Sequence, residues 1–437
     1  MACLAASLLM GCGGDGSSDS LSGVPSEQPS GSCAVSEQKK ALRDYMQTAY
    51  LWSDLAPLPT PEAYGSLEQY FPALLFTGSA TLPADRWSYL SDTDQYNQFF
   101  QEGQTRGYGL SVNGLEGRLP LRIRYVEPQS PAAGAGLQRG DVIASINGVH
   151  AAALLASGDF SALVAGKEGD SVVLTVENAS GVRTVVVTAA TYALQPVAAS
   201  GILTGRNGRP VGYVSLKDFI AQAEAPLEEA IGHVRAAGAT DLIVDLRYNG
   251  GGRISTANKL ASLIAGSAHD GKVFVRLQHN VKVRYLDAEY TLASSAPGFS
   301  RVVILTGSRT CSASELLANG LTPYLEVVTL GSQTCGKPFG FRPVESCGKT
   351  ISAVNFESFN AKGEGRYYQG LSPACSFQDD FIGPLGVPQE ALTAAALSRL
   401  DTGVCPRVAL SAGFDRRAPA VRPVGGEAGE FRGMRAD

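Results

Sequence analysis

Two short apolar runs constrain the second half of this chain more than any other feature. Asp241-Leu242-Ile243-Val244-Asp245-Leu246 and Val302-Val303-Ile304-Leu305 read as buried strands, and each leads through a turn into a helical stretch. Those helices are predicted over Ser255 to Ala265 and Ser314 to Leu321. Ahead of them, Val211-Gly212-Tyr213-Val214-Ser215-Leu216 is a strand followed by an amphipathic helix from Ala225 to Ala236. From Thr350 to about Gly370 the pattern is strand-like again. Strands alternating with helices predict an α/β layered core over residues 196–410. No apolar run reaches the roughly 18 residues of a spanning helix.

The chemistry-bearing residues sit where these strands end. Asp245-Leu246-Arg247-Tyr248-Asn249-Gly250-Gly251-Gly252 puts three glycines after the first strand, so bare N–H donors can approach a ligand oxygen there. That ligand is a phosphate or the oxyanion of an acyl-transfer intermediate. The Gly-Lys-Ser/Thr ending of a phosphate loop is missing, which favours the oxyanion. After the second strand comes Thr310-Cys311-Ser312-Ala313-Ser314-Glu315, with Ser312 poised at a helix start where the dipole favours negative charge. Alone, the tetrapeptide Ser312 to Glu315 reads first as a helix capping box, with Ser312 as N-cap and Glu315 at N3. Lys337, in Cys335-Gly336-Lys337-Pro338, follows 25 residues after Ser312. A lysine can take the serine proton only when neutral, which requires its pKa of about 10.4 to fall through burial or nearby positive charge. If Ser312 and Lys337 share a cleft, the chain is a hydrolase.

The first half is organised differently. Ser36 to Trp52 carries an apolar stripe (Leu42, Tyr45, Met46, Ala49, Tyr50) at helical spacing, stopped by Ala56-Pro57-Leu58-Pro59-Thr60-Pro61. Residues 33–104, including Asp85-Arg86-Trp87-Ser88-Tyr89-Leu90, read as a small helical unit packed on the domains C-terminal to it. Next come Gly107-Tyr108-Gly109-Leu110, Ser130-Pro131-Ala132-Ala133-Gly134-Ala135-Gly136-Leu137 and Gly140-Asp141-Val142-Ile143. Hairpins are predicted at Asn147-Gly148 and Ala179-Ser180-Gly181. This combination resembles a PDZ domain of the bacterial protease type, over residues 105–190. The resemblance implies that Gly107, Tyr108, Gly109 and Leu110 form a nest for a peptide carboxylate, beside a helix at about Phe160 to Ala165. The competing reading is a β-domain with glycine turns and no ligand.

At the N-terminus, Ala5-Ala6-Ser7-Leu8-Leu9-Met10-Gly11-Cys12 is a short apolar run ending in Leu-x-Gly-Cys. It resembles a bacterial lipoprotein signal (residues 1–12), with Cys12 the lipidated residue and residues 13–32 a flexible tether. No basic segment precedes it, so the natural start is expected upstream. Gly13 after the cysteine implies the outer membrane, facing the periplasm. The rival reading is an ordinary disordered N-terminus. Six further cysteines, Cys33, Cys311, Cys335, Cys347, Cys375 and Cys405, read as disulfides in an exported protein. Cys375 with Cys405 is preferred, with a second pair within Cys311, Cys335 and Cys347. No CxxC is present and the four histidines are distant in sequence, so no metal is expected. Neither is a Ser-His-Asp triad. With 36 basic and 41 acidic residues and no basic stripe, nucleic acid is not an expected partner. Residues 411–437 are rich in Pro, Gly and charge and read as a disordered tail.

Asp-Leu-Arg-x-Asn-x-Gly-Gly, Thr-x-Ser-Ala-Ser-Glu and the later Gly-Lys, behind a PDZ-like region, together resemble the C-terminal processing peptidases (tail-specific proteases, peptidase family S41). The resemblance spans about residues 85–400. It implies a multidomain α+β protein: an α/β layered, ClpP/crotonase-like core, an inserted or preceding PDZ domain and the helical N-terminal unit. It implies Ser312 as nucleophile, Lys337 as general base, and N–H groups of Gly251 or Gly252 with Ala313 as the oxyanion hole. Asp245, Arg247, Asn249, Ser314 and Glu315 would brace the site. Substrates would be unfolded or C-terminal polypeptide segments, and no cofactor is required. Four positions depart from the family pattern. Phe341 stands where many members carry a glutamine that orients the lysine, Pro338 and Phe339 replace smaller residues, and Cys311 replaces an alanine. Cys311 is read as a half-cystine rather than a nucleophile. A catalytically silent peptide-binding lipoprotein on the same fold, or a hydrolase of non-peptide substrates, fits the same motifs.

Overall fold

A six-stranded sheet carries the site, and its strand order explains where the two motifs meet. The computed structural model describes residues 33–206, 208–406 and 434–436. The sheet runs Val197–Thr204, Pro210–Leu216, Asp241–Asp245, Arg301–Thr306, Glu326–Gly331, Cys375–Ser376. The first pair is antiparallel and the rest are parallel. The predicted strands are all present, and Asp241–Asp245 lies directly beside Arg301–Thr306 with Asp245 opposite Leu305. Both chemistry-bearing turns therefore leave the same end of adjacent parallel strands, the usual location of ligand sites in α/β sheets.

Helices cover both faces, as an all-apolar parallel strand requires. Glu224–Ala236, Ile254–Ala265 and Ala313–Leu321 bury Leu227, Ile231, Leu260, Ile264, Leu316 and Leu317 against Val214, Leu242, Val244, Val302 and Ile304. Ala391–Thr402 packs Leu392, Ala396 and Leu400 on the other face, against Ile243, Val303 and Leu305. The residue alternation along each strand decides which face a side chain serves. A second sheet, in the order Ala288–Thr291, Val273–His279, Val354–Phe359, Phe339–Phe341, Met434–Arg435, closes the far side of the site.

The N-terminal unit does not stand apart from this core. Tyr89–Asp92 pairs with Lys349–Ser352, and Cys33 is disulfide-bonded to Cys347. Its helices Val35–Ala49 and Leu67–Ala73 place Leu42, Met46, Tyr70 and Phe71 in one cluster with Phe339, Phe341, Ile351 and Val354. The PDZ-like domain is thus inserted into a body formed by both ends of the chain. It holds the four-stranded sheet Val149–His150, Val142–Ile146, Ser171–Asn178, Gly181–Thr188, with both predicted hairpins. Gly109 lies at φ 82°, and a Cβ there would come 1.9 Å from Ser130 Cβ, so only glycine allows the loop to close on this turn.

Two expectations require correction. The domain's helix is Ala151–Ser157, capped by Gly158 in the left-handed region, whereas 160–165 holds only the 3₁₀ turn Ser161–Leu163. Gly158 is a C-terminal stop signal, and the apolar run beyond it covers the core as a turn. Composition predicts disorder throughout residues 411–437, but Met434–Arg435 is a strand of the second sheet. Most of that segment, like the signal with Cys12 and the tether, lies outside the described residues.

Candidate active site

The Ser312 turn is held by hydrogen bonds between the two strand ends. Thr310 Oγ1 donates to Leu246 O at 2.8 Å and Cys311 N to Asn249 O at 3.1 Å. Ser314 Oγ lies 3.0 and 2.9 Å from Asn249 O and Oδ1, while Asn249 Nδ2 donates to Leu216 O at 3.0 Å. Ser312 is the N-cap of Ala313–Leu321, fully buried, with φ 60° and ψ −112°. A non-glycine residue held there stores about 1–3 kcal/mol of strain, which the surrounding bonds must enforce. The segment forms the capping box its sequence spells: Glu315 accepts the Ser312 N–H at 2.9 Å, and Ser312 Oγ accepts from Met434 N.

The glycine loop lies directly against this turn. A Cβ on Gly251 would stand 2.9 Å from Ser312 Cβ and 3.1 Å from Ala313 N, and one on Gly252 would stand 2.2 Å from Phe219 O. Both residues have φ above 100°. Gly251 N donates to Asn249 Oδ1 at 2.8 Å, so this N–H is already used within the loop. Of the donors considered from sequence, the amides of Gly252 and Ala313 are the ones without such an internal commitment.

Lys337 enters from the loop before Phe339–Phe341 and is completely buried. Among the described residues its Nζ has no hydrogen-bond partner. It lies 3.9 Å from the centroid of the Phe341 ring and 5.3 Å from that of Trp87. Burial pushes its pKa down to about 7, against the opposing pull of Asp85 and Glu315. A ring face is the softest surface on which an amine can alternate between neutral and charged states: it attracts the ammonium without saturating its donors. The residue in the glutamine position therefore still contacts the lysine.

Glu315 links Ser312 and Lys337. Its fully buried carboxylate accepts from Ser312 N (2.9 Å), Gly336 N (2.8 Å), Lys337 N (2.8 Å) and Thr334 Oγ1. Burial raises its pKa, and these donors oppose that rise. The Cys311–Cys335 disulfide, with Cα atoms 5.2 Å apart, ties the residue before Ser312 to the residue two before Lys337. Cys375 is bonded to Cys405. Both sulfurs near Glu315 are thus in a disulfide, and this group is not a metal site. His279 lies elsewhere, 3.1 Å from Asp287.

Trp87 and Asp85 are site residues that no sequence motif singles out. Asp85 accepts from Tyr50 Oη at 2.6 Å and from the N–H groups of Trp87 and Ser88, and Arg86 Nη2 donates to Cys335 O at 3.0 Å. They arrive from about 250 residues away in sequence, so no local spacing could link them to Lys337. Beneath the glycine loop, Arg247 is buried among Asp245 (2.9 Å), Glu390 (2.6 Å) and Asp379 (3.5 Å). Asp379 also meets Arg139 of the inserted domain at 2.6 Å. Asp245, Arg247, Asn249, Ser314 and Glu315 all lie in this supporting structure. Tyr108 O and Gly109 O accept from Ala132 N and Glu127 N around the Ser130 turn of the inserted domain, with Tyr108 buried in its core, whereas Gly107 and Leu110 pair as strand residues with Ala190 and Val126.

Residues 210–373 match peptidase family S41, residues 122–178 a PDZ domain, and residues 37–89 the peptidase S41 N-terminal domain. A carboxyl-terminal-processing protease of a Picosynechococcus strain is 29% identical over 281 residues, covering 63% of this chain and 66% of that protein. Carboxyl-terminal-processing peptidase 2 of Arabidopsis thaliana is 26% identical, over 56% of this chain and 50% of that protein. The chain thus spans about half to two thirds of the length of these curated relatives. Among solved structures, an S41 protease from Bacteroides fragilis superposes with a TM-score of 0.67 at 23% identity, covering 83% of this chain and 97% of that one. The photosystem II D1 C-terminal processing protease gives 0.51 at 19% identity, over 79% and 94%. These two establish likeness of fold. Residues 210–373 carry the peptidase family S41 match, and the chain has the S41 peptidase fold with a PDZ domain and a peptidase S41 N-terminal domain.

Proposed function

We propose that this chain is a serine endopeptidase in which Ser312 and Lys337 form the catalytic dyad. The observation that carries the reading is a buried amine with no hydrogen-bond partner, whose backbone N–H shares one Glu315 oxygen with that of Ser312. An unpaired buried lysine costs about 5 kcal/mol, taking the drop from 10.5 to about 7 at 1.36 kcal/mol per unit. A fold does not retain such a cost for packing, where a methionine would serve. As base, neutral Lys337 takes the Ser312 proton as Oγ attacks the peptide carbonyl, and returns it to the leaving amine. Water then hydrolyses the acyl-enzyme by the same relay. The Gly252 and Ala313 amides supply the oxyanion hole, with Gly251 contributing its missing Cβ. No step calls for a cofactor.

Substrates are polypeptide segments presented in extended form, with the PDZ loop Gly107 to Leu110 holding a terminal or extended stretch. Three disulfides fit an oxidising compartment, and with the signal ending at Cys12 they support a lipid-anchored protein of the bacterial envelope, outer-membrane facing the periplasm. The test is turnover of an unfolded protein by wild type, Ser312→Ala and Lys337→Ala. Cleavage by wild type alone is expected; no cleavage by wild type above the Ser312→Ala background would leave a silent peptide-binding protein instead, and a fully active Lys337→Ala would break the dyad.

A further inference from the structure

The groove beside Ser312 is filled by the chain's own residues Met434–Ala436. Met434 N donates to Ser312 Oγ, Arg435 N to Gly252 O at 2.9 Å, and Ala436 N to Phe341 O at 3.0 Å. The segment runs parallel to Phe339–Phe341, with Gly340 opposite Met434 and Phe341 opposite Arg435. On its other edge Arg435 bridges Arg253, so it is held as a strand from both sides. Gly340 permits this approach: a Cβ there would stand 3.1 Å from Met434 O and 2.1 Å from the Phe356 ring. Met434 is fully buried in the apolar cluster that includes Phe219, Ala313 and Phe356. The Arg435 guanidinium lies 5.4 and 5.5 Å from the rings of Tyr96 and Phe100.

Main-chain bonds on both edges with one side chain sunk into a dry pocket is how a sheet edge recognises a peptide irrespective of most of its sequence. We infer that this groove is the leaving-side peptide subsite, that it takes a methionine-sized apolar side chain first, and that Met434–Ala436 is a built-in occupant competing with substrate. The inference rests on the peptidase reading for its chemistry but not for the occupancy. The contact between Ser312 Oγ and the Met434 nitrogen sets the polarity. Attack on the carbonyl carbon acylated to that nitrogen forms the Oγ–C bond, and Lys337 takes the Oγ proton. The C–N bond then breaks, and the Met434 amine leaves with the proton returned by Lys337. Water attacks the acyl-enzyme and regenerates Ser312, so no other reactant is consumed.

The test compares the full chain, Met434→Asp in the full chain, and a deletion of residues 434–437, each with a fluorogenic unfolded protein. A carboxylate at 434 has no partner in the apolar pocket, so M434D should vacate the groove without shortening the chain. Both variants are expected to turn over substrate at least tenfold faster than wild type. A synthetic peptide of residues 430–437 should inhibit the deletion form and be cut immediately before its methionine. Equal rates for all three forms overturn the occupancy while leaving the peptidase reading intact, and cutting elsewhere in the peptide overturns the subsite assignment. If no form turns over substrate, the peptidase reading fails, and binding of the fluorescein-labelled peptide decides the occupancy. Binding to either variant at least tenfold tighter than to the full chain upholds it, and equal binding overturns it.

Discussion

Two buried cations lie on opposite sides of the Ser312 turn, and the fold treats them in opposite ways. Arg247 is surrounded by Asp245, Asp379 and Glu390; burial alone would lower its pKa, but these carboxylates hold it well above its ordinary value. The same cation holds Asp379 and Glu390 below the usual carboxylate range despite their burial. Lys337 is equally dry and meets ring faces instead, so burial dominates and its pKa falls to about 7. One buried charge is given carboxylate partners, whereas the other, among the described residues, has no hydrogen-bond partner at its amine. The first cation holds the glycine loop and, through Asp379 and Arg139, the inserted domain; the second is available to chemistry.

Substitution should separate the two sites cleanly. Lys337→Met is expected to lower kcat by at least about 10³-fold, the upper range of general-base effects, in steady-state assays. It should not destabilise the fold. Because the lysine pKa is depressed on folding, the unfolded chain binds the extra proton between about pH 7 and 10, so wild-type stability rises with pH across that window. The stability gained by Lys337→Met should therefore be fully present below pH 7 and shrink toward pH 10 in denaturant titrations. Arg247→Met is the converse: it removes the cation bonded to the buried carboxylates of Asp245 and Glu390, while Asp379 keeps Arg139, and should cost about 3–5 kcal/mol in the same titrations.

Smaller effects probe the frame shared by both sites. Joint replacement of Cys311 and Cys335 by serine should cost about 3 kcal/mol by loop closure, measured by chemical unfolding, and should lower kcat more than KM. Phe341→Leu should have the least effect on folding and a diagnostic one on titration. The ring favours the ammonium by about 1–2 kcal/mol in a dry site, so its loss should move the ascending limb of the rate profile about one unit below pH 7. No movement would mean that the ring is packing only.

Local patterns are legible where the physics is local. The apolar strands, the glycine loop and the Ser312 turn are readable because each element and its cap lie within a few residues. The Cys375–Cys405 bond and a pair within Cys311, Cys335 and Cys347 also match expectation. What orients Lys337 is not readable: Phe341 reads as a missing glutamine, since a ring under an amine has no sequence signature, and Trp87 comes from the opposite end of the chain. The Cys33–Cys347 bond joins the same two distant parts. The resemblance leaves Gly251 and Gly252 both open as the donor, and nothing in the motif marks that the Asn249 side chain accepts the Gly251 N–H. Met434 is hidden by composition: two residues of strand need only an edge to pair with, and no propensity marks them within a Gly- and charge-rich stretch.

The central claim is that Lys337 works as a neutral base, and the dependence of kcat/KM on pH tests it most directly. Activity on an unfolded substrate should rise with an apparent pKa of about 7, the ascending limb reporting deprotonation of Lys337 in the free enzyme. Site-specific ¹⁵N labelling of the lysine should titrate with the same midpoint. A limb near pH 10, or a Lys337→Met variant that keeps both the rate and the limb at 7, would contradict the account.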